Sequence, residues 1–196
     1  LKTADERQLI WASEDGLVKS DVIGENITIL IEKGYLGDVK ITDIAWFEDL
    51  IYIVANNTLK ILNTTSNVLI NLEDVEGVSS VAVDWISRRL FWSVPSQQLI
   101  MHSKLHGEMR KPLSIPAKAY EIEIDAMRGN IYYSTRIKIE GRRLNGKNNG
   151  IVRKYFQVLP YSGKLVMGLT LDIENEKIYW IVKSHSGSSL FSASLM

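Results

Sequence analysis

Apolar and polar residues alternate along most of this chain in short runs separated by polar turns. Residues 80–94, SVAVDWISRRLFWSV, show the unit: one alternating run, a charged turn, then a second run around a Phe-Trp pair. Successive side chains of a strand point to opposite faces of its sheet, so period-two alternation rich in Val, Ile, Tyr and Trp predicts pleated strands. RLFWSV has four relatives, QLIWAS from Gln8, LIYIVA from Leu50, NIYYST from Asn130 and KIYWIV from Lys177. With Ile10, Tyr52, Phe91, Tyr132 and Tyr179 as equivalents, the spacings are 42, 39, 41 and 47 residues. A period of this size in a strand-rich chain predicts propeller blades.

Each unit repeats the same order of elements. Asp84, Asp125 and Asp172 each close the run before the aromatic strand, seven residues ahead of the equivalent aromatic. The second unit, ITDIAWF, lacks that Asp and has a turn one residue shorter. A third run follows the aromatics (GLVKSDV, TLKILNT, QLIMHSKL, IKIEGRRL, SLFSASL), and most units add a fourth (ITILIE, VLINLE, PLSIP, YFQVL). Four short antiparallel strands joined by polar turns make one blade. A single blade cannot bury both faces, so neighbours must stack. Tyr52 and the pairs Ile10-Trp11, Phe91-Trp92, Tyr132-Tyr133 and Tyr179-Trp180 are the expected interface residues, each pair reaching both neighbouring interfaces. The Asp residues are expected to cap the turns by accepting backbone N–H groups.

The fold expected is therefore all-β, a single incomplete propeller with units over 1–36, 37–77, 78–117, 118–163 and 164–196. The first unit lacks its leading strand and the last lacks a fourth, leaving about four and a half blades. An open ring exposes strand edges and an apolar blade face. The segment is expected to come from a longer chain whose other parts complete the ring.

Composition narrows the function. The 23 basic and 23 acidic residues cancel, which leaves no footprint for nucleic acid or an anionic membrane surface. No apolar run is long enough to span a bilayer, and no Met-initiated signal peptide is present. Cysteine is absent, excluding thiol catalysis, disulfides and thiolate metal sites. Sequons at Asn26, Asn56 and Asn63 are glycosylation candidates and point to an extracellular protein. No cofactor is implied.

The VAVDW……LFW and LTLD……IYW units resemble the YWTD class of six-bladed β-propellers, found in lipoprotein receptors and in Sevenless/Ros receptor tyrosine kinases. The positions carrying the likeness are Trp11, Tyr52, Asp84, Trp92, Asp125, Tyr133, Asp172 and Trp180. The tetrad reads IWAS, YIVA, FWSV, YYST and YWIV, and no copy keeps the final Asp. That degeneracy, with the long fourth unit, is more similar to the Sevenless/Ros propellers. The resemblance implies a ligand-binding and scaffolding module in the extracellular part of a plasma-membrane receptor, flanked by fibronectin type III modules. It also implies a parent with receptor tyrosine kinase activity in cell-cell signalling, and a protein ligand that is membrane-bound on an adjacent cell, of the bride-of-sevenless type. Two alternatives stay open: a lipoprotein-receptor-type propeller in endocytosis and ligand release, and a propeller hydrolase with a metal in its central channel.

Candidate chemistry is sparse. Of the three histidines, His185 stands apart, and His102 and His106 lie four apart where a strand runs into a turn, a spacing that pairs ligands only on a helix. Glu121, Glu123 and Asp125 alternate on one strand face; they either line a central channel, where a metal would bind, or form a solvated edge, the ordinary reading. No nucleophile elbow or Gly-rich phosphate cradle occurs. The outlier is residues 136–154, RIKIEGRRLNGKNNGIVRK, where Arg136, Lys138, Arg142, Arg143, Lys147, Arg153 and Lys154 face a single acid, Glu140. A solvated loop is the bland reading; the functional one is a basic hairpin that contacts an acidic partner.

Overall fold

The computed structural model describes residues 7–37, 39–114, 118–144, 153–159 and 162–195. Five antiparallel sheets follow one another along the chain, each with its strands in sequence order. The first blade contains β1 (Gln8–Ser13), β2 (Gly16–Asp21) and β3 (Thr28–Glu32). The second contains β4 (Ile41–Phe47), β5 (Leu50–Ala55), β6 (Thr58–Asn63) and β7 (Val68–Asn71). The third contains β8 (Ser80–Asp84), β9 (Arg89–Val94), β10 (Leu99–Lys104) and β11 (Lys111–Ser114). The fourth contains β12 (Glu121–Asp125), β13 (Asn130–Ser134), β14 (Lys138–Arg143) and β15 (Arg153–Gln157). The fifth contains β16 (Leu165–Asp172), β17 (Lys177–Ser184) and β18 (Gly187–Ser194). Stacked antiparallel sheets in this order make a partial β-propeller.

Turn chemistry sets the hairpins. β5 and β6 are joined by Asn56 and Asn57 alone, with φ of 50° and 57°. Two left-handed residues make a turn whose twist matches that of the strands, and Asn tolerates that conformation. Where the turn is longer, the terminal Asp closes it. The Oδ1 atoms of Asp84, Asp125 and Asp172 accept the N–H of Ser87, Arg128 and Asn175 at 2.9, 3.0 and 3.0 Å.

Four apolar clusters lie between the five sheets. Leu17 and Ile31 of the first blade meet Ile51, Ile53 and Leu62 of the second. Tyr52 and Val54 on the opposite face of β5 meet Val81, Leu90 and Trp92 of the third. Phe91, the neighbour of Trp92, packs with Ile131 and Tyr133 of the fourth. Tyr132 packs with Ile178 and Trp180 of the fifth. Adjacent residues of a central strand thus serve different interfaces. Gly141 makes room for this: a Cβ there would lie 2.9 Å from the Tyr132 ring.

The terminal blades depart from the expectation that every aromatic pair reaches two interfaces. Ile10 packs against the core shared with the second blade, whereas half-buried Trp11 joins no cluster. Trp180 is buried toward the fourth blade, and Tyr179 faces away from it. Among the described residues no cluster joins the first and fifth blades. Leu9 and Ile29 on one outer face, and Leu165, Met167, Ile181 and Leu190 on the other, are exposed.

Candidate functional site

The first strands of the complete blades, β4, β8 and β12, run side by side with β16 around a central channel. It encloses a cavity of about 420 Å³, and no cation lines it among the described residues. Polar side chains tie the second blade to the third, the third to the fourth and the fourth to the fifth. Asp43 Oδ2 accepts the Ser80 hydroxyl at 2.6 Å and the Val81 N–H at 2.9 Å, and its Oδ1 accepts the Ile44 N–H. Ser80 Oγ in turn accepts the Ile122 N–H at 3.1 Å. Glu121 Oε1 accepts the Gly168 N–H at 2.8 Å, and its Oε2 accepts the Ser134 hydroxyl at 3.2 Å. Gly168 sits at a β-bulge with φ of 64°, the left-handed backbone that turns its N–H toward Glu121.

Glu121 and Glu123 therefore belong to the channel, which corrects the solvated-edge reading; Asp125, fully buried at the strand end, caps its turn instead. Strand alternation predicts a shared face but not what that face meets. Burial raises the Glu123 carboxyl to about 8, with the charges of Asp43 and Glu121 adding to the shift. Burial likewise raises Asp43 and Glu121 above the usual carboxylate range, against the hydrogen bonds they accept. No group of three metal-binding side chains converges among the described residues.

Asp43 and Ser80 escaped the sequence reading, although a signal existed. Ser80, Glu121 and Gly168 each lie four residues before the terminal Asp of their blade. With the second blade's shorter turn and the register shift between Ile41 and Asp43, Asp43 falls at the same place.

The basic stretch of the fourth blade is divided by the sheet. Arg136 lies at the β13–β14 turn, with its guanidinium 4.1 Å from the Tyr120 ring centre. Lys138 donates to Glu140 at 2.6 Å, and Glu140 also accepts the Tyr133 hydroxyl at 2.7 Å. Burial works against the Glu140 carboxylate, but these partners hold it below the usual range. Arg142 projects from the same face as Glu140 and is half-buried. Arg143, Arg153 and Lys154 are exposed, and Arg153 stacks over Tyr155. Lys147 lies outside the described residues.

The sequons also differ. Asn56 stands exposed in its two-residue turn. Asn26 is exposed but its amide donates to Asp21, and half-buried Asn63 donates to Asp49.

No family model matches the chain. It is 26% identical to the proto-oncogene tyrosine-protein kinase ROS of Gallus gallus over 163 residues, covering 79% of this chain and 7% of that protein. It is 24% identical to the human protein of the same name, over 168 residues and with the same coverage. To protein sevenless of Drosophila virilis it is 27% identical, covering 63% of this chain and 5% of that one. The chain thus spans a small part of its curated relatives. Among solved structures, a chain in a nidogen/laminin complex aligns with TM-score 0.72 at 16% identity, over 96% of this chain and 79% of that chain. The Cps50 (Swd1) β-propeller domain of Myceliophteria thermophila gives TM-score 0.54 at 8% identity, over 80% and 56%. The homologues are receptor kinases, and the matching segment is a propeller of their extracellular region.

Proposed function

We propose, from this kinship with the Ros and Sevenless receptor kinases, that the chain is a non-catalytic ligand-binding and scaffolding propeller in the ectodomain of a receptor tyrosine kinase of cell-cell signalling. The observation that carries it is homology to these kinases over 79% of the chain, joined to a stack of antiparallel blades whose turns are held in place. Phosphoryl transfer belongs to a kinase domain elsewhere in the parent. Other parts of the parent cover the apolar faces of the terminal blades and complete a six-bladed ring. Fibronectin type III modules flank it. The ligand is a protein on an adjacent cell, met by loops that the blades hold in place. Arg143, Arg153 and Lys154 form the exposed basic edge that speeds encounter with an acidic partner.

The test is binding of the labelled parent ectodomain to a panel of cell surfaces, with Arg143→Glu and Arg153→Glu combined in a second sample. Saturable, trypsin-sensitive binding that slows on charge reversal, most at low salt, is expected. No protein-dependent binding to any cell, or a hydrolytic activity that purifies with the segment, overturns the reading.

A further inference from the structure

At the turn end of the third blade a shallow pocket of about 580 Å³ opens between β9, β10 and β11. Strand register builds its floor. Arg89 stands opposite Lys104, Phe91 opposite His102, and His102 opposite Lys111. Residues directly opposite, and those two apart on one strand, share a face. Arg89, His102, Lys104 and Lys111 therefore project together from one side of the sheet, and Arg88 joins them from the adjoining turn.

These cations are unequal. Arg88 is held by Glu48 through two bonds of 2.6 and 2.8 Å. Arg89 donates to Asp84 at 3.0 Å and lies over the Phe91 ring. Lys104 and Lys111 are exposed and form no ion pair among the described residues, and Glu108 is the only acid on the pocket wall. Like charges set side by side on a sheet destabilise it unless an anion sits between them. Burial lowers the His102 pKa and the neighbouring Arg89 and Lys111 lower it further, in keeping with a positive local field. Met109, 63% exposed, gives one wall an apolar side chain, and Trp85 and Ile86 are exposed on the turn that also carries Arg88.

We infer that this pocket binds an acidic peptide segment of a protein partner, its carboxylates on Lys104 and Lys111 and an apolar side chain on Met109. Long polyanions such as sulfated glycans or nucleic acids need an extended basic track. Here Glu108 and Met109 stand among the cations of the pocket wall, and the chain is neutral overall. The inference rests on the ligand-binding reading and names the chemistry of the partner.

The experiment uses the parent ectodomain and three probes in fluorescence anisotropy: a short fluorescein-labelled peptide of alternating Glu and Leu, its Gln-for-Glu counterpart, and a labelled heparin oligosaccharide. The Glu peptide is expected to bind at low salt and weaken as salt rises, with the Gln peptide about tenfold weaker or more. Lys104→Glu with Lys111→Glu should lower affinity for the Glu peptide by about tenfold or more, and the milder double Gln variant by less. Lys40→Glu, an exposed change just ahead of β4, should leave it unmoved. Equal affinity in the Lys104/Lys111 variant overturns the site. Preference for heparin, lost in the same variant, overturns the peptide assignment. If cell binding is absent while peptide binding still depends on Lys104 and Lys111, the pocket stands and the receptor reading falls; the reverse pattern removes the pocket alone.

Discussion

Glu123→Gln in the parent ectodomain tests the electrostatics of the channel. The carboxyl goes from 4.5 to about 8 because burial removes it from water, with Asp43 and Glu121 adding negative charge and no cation on the channel wall among the described residues. The folded state then holds one more proton than the unfolded chain between these two values. Stability from this group is fully present below the lower value and is lost as pH rises through the higher one. The slope is about 1.4 kcal/mol per pH unit, and integrating it from about pH 5.5 to about pH 7.5 gives a loss of about 2.5 kcal/mol. Gln resembles the protonated acid and does not titrate. Relative to the wild type, the variant should therefore gain that amount over the interval, a differential shift of roughly 5 to 10 °C in the propeller melting transition. Differential scanning calorimetry of both proteins at the two pH values reads it, and contributions common to both cancel. A constant difference between them would refute the reasoning, because it would place the carboxylate in water.

Trp92→Ala should destabilise the propeller by about 3 to 5 kcal/mol in denaturant titration, since a buried aromatic between two blades leaves a cavity, whereas Arg143→Ala should stay within about 0.5. Ser80→Ala removes both the donor to Asp43 and the acceptor of the Ile122 N–H. The orphaned groups should lower stability by about 1 to 3 kcal/mol, and Ser80→Thr should recover part of it if the hydroxyl is what matters. Residues 1–196 expressed alone should self-associate through the apolar faces of the first and fifth blades, visible by light scattering. A monodisperse, cooperatively melting monomer would show that those faces need no cover.

The sequence by itself determined the fold class and the repeating unit. Alternation fixes which residues share a face, and a period near 40 residues fixes how many blades follow one another. Local chemistry was legible for the same reason: Asp84, Asp125 and Asp172 as turn caps depend only on neighbours in the chain. Which neighbour a face meets depends on the stacking of whole blades, and only the tertiary structure decided that. Phe91 and Trp92 look alike in sequence, yet one serves the fourth blade and the other the second. Glu121 and Glu123 read as an exposed edge until three other blades closed around them, and Asp43 finds its partners 37 and 38 residues away. The six described cations of the stretch that looks like one patch in sequence are split, because Arg136 stacks on Tyr120 ahead of β14, Lys138 pairs with Glu140, and Arg143, Arg153 and Lys154 are exposed; Lys104 and Lys111, seven residues apart and unremarked, are brought to one face by pairing across β10 and β11. Periodicity is a local property of the chain, whereas charge clustering and desolvation arise from contacts between residues distant along it.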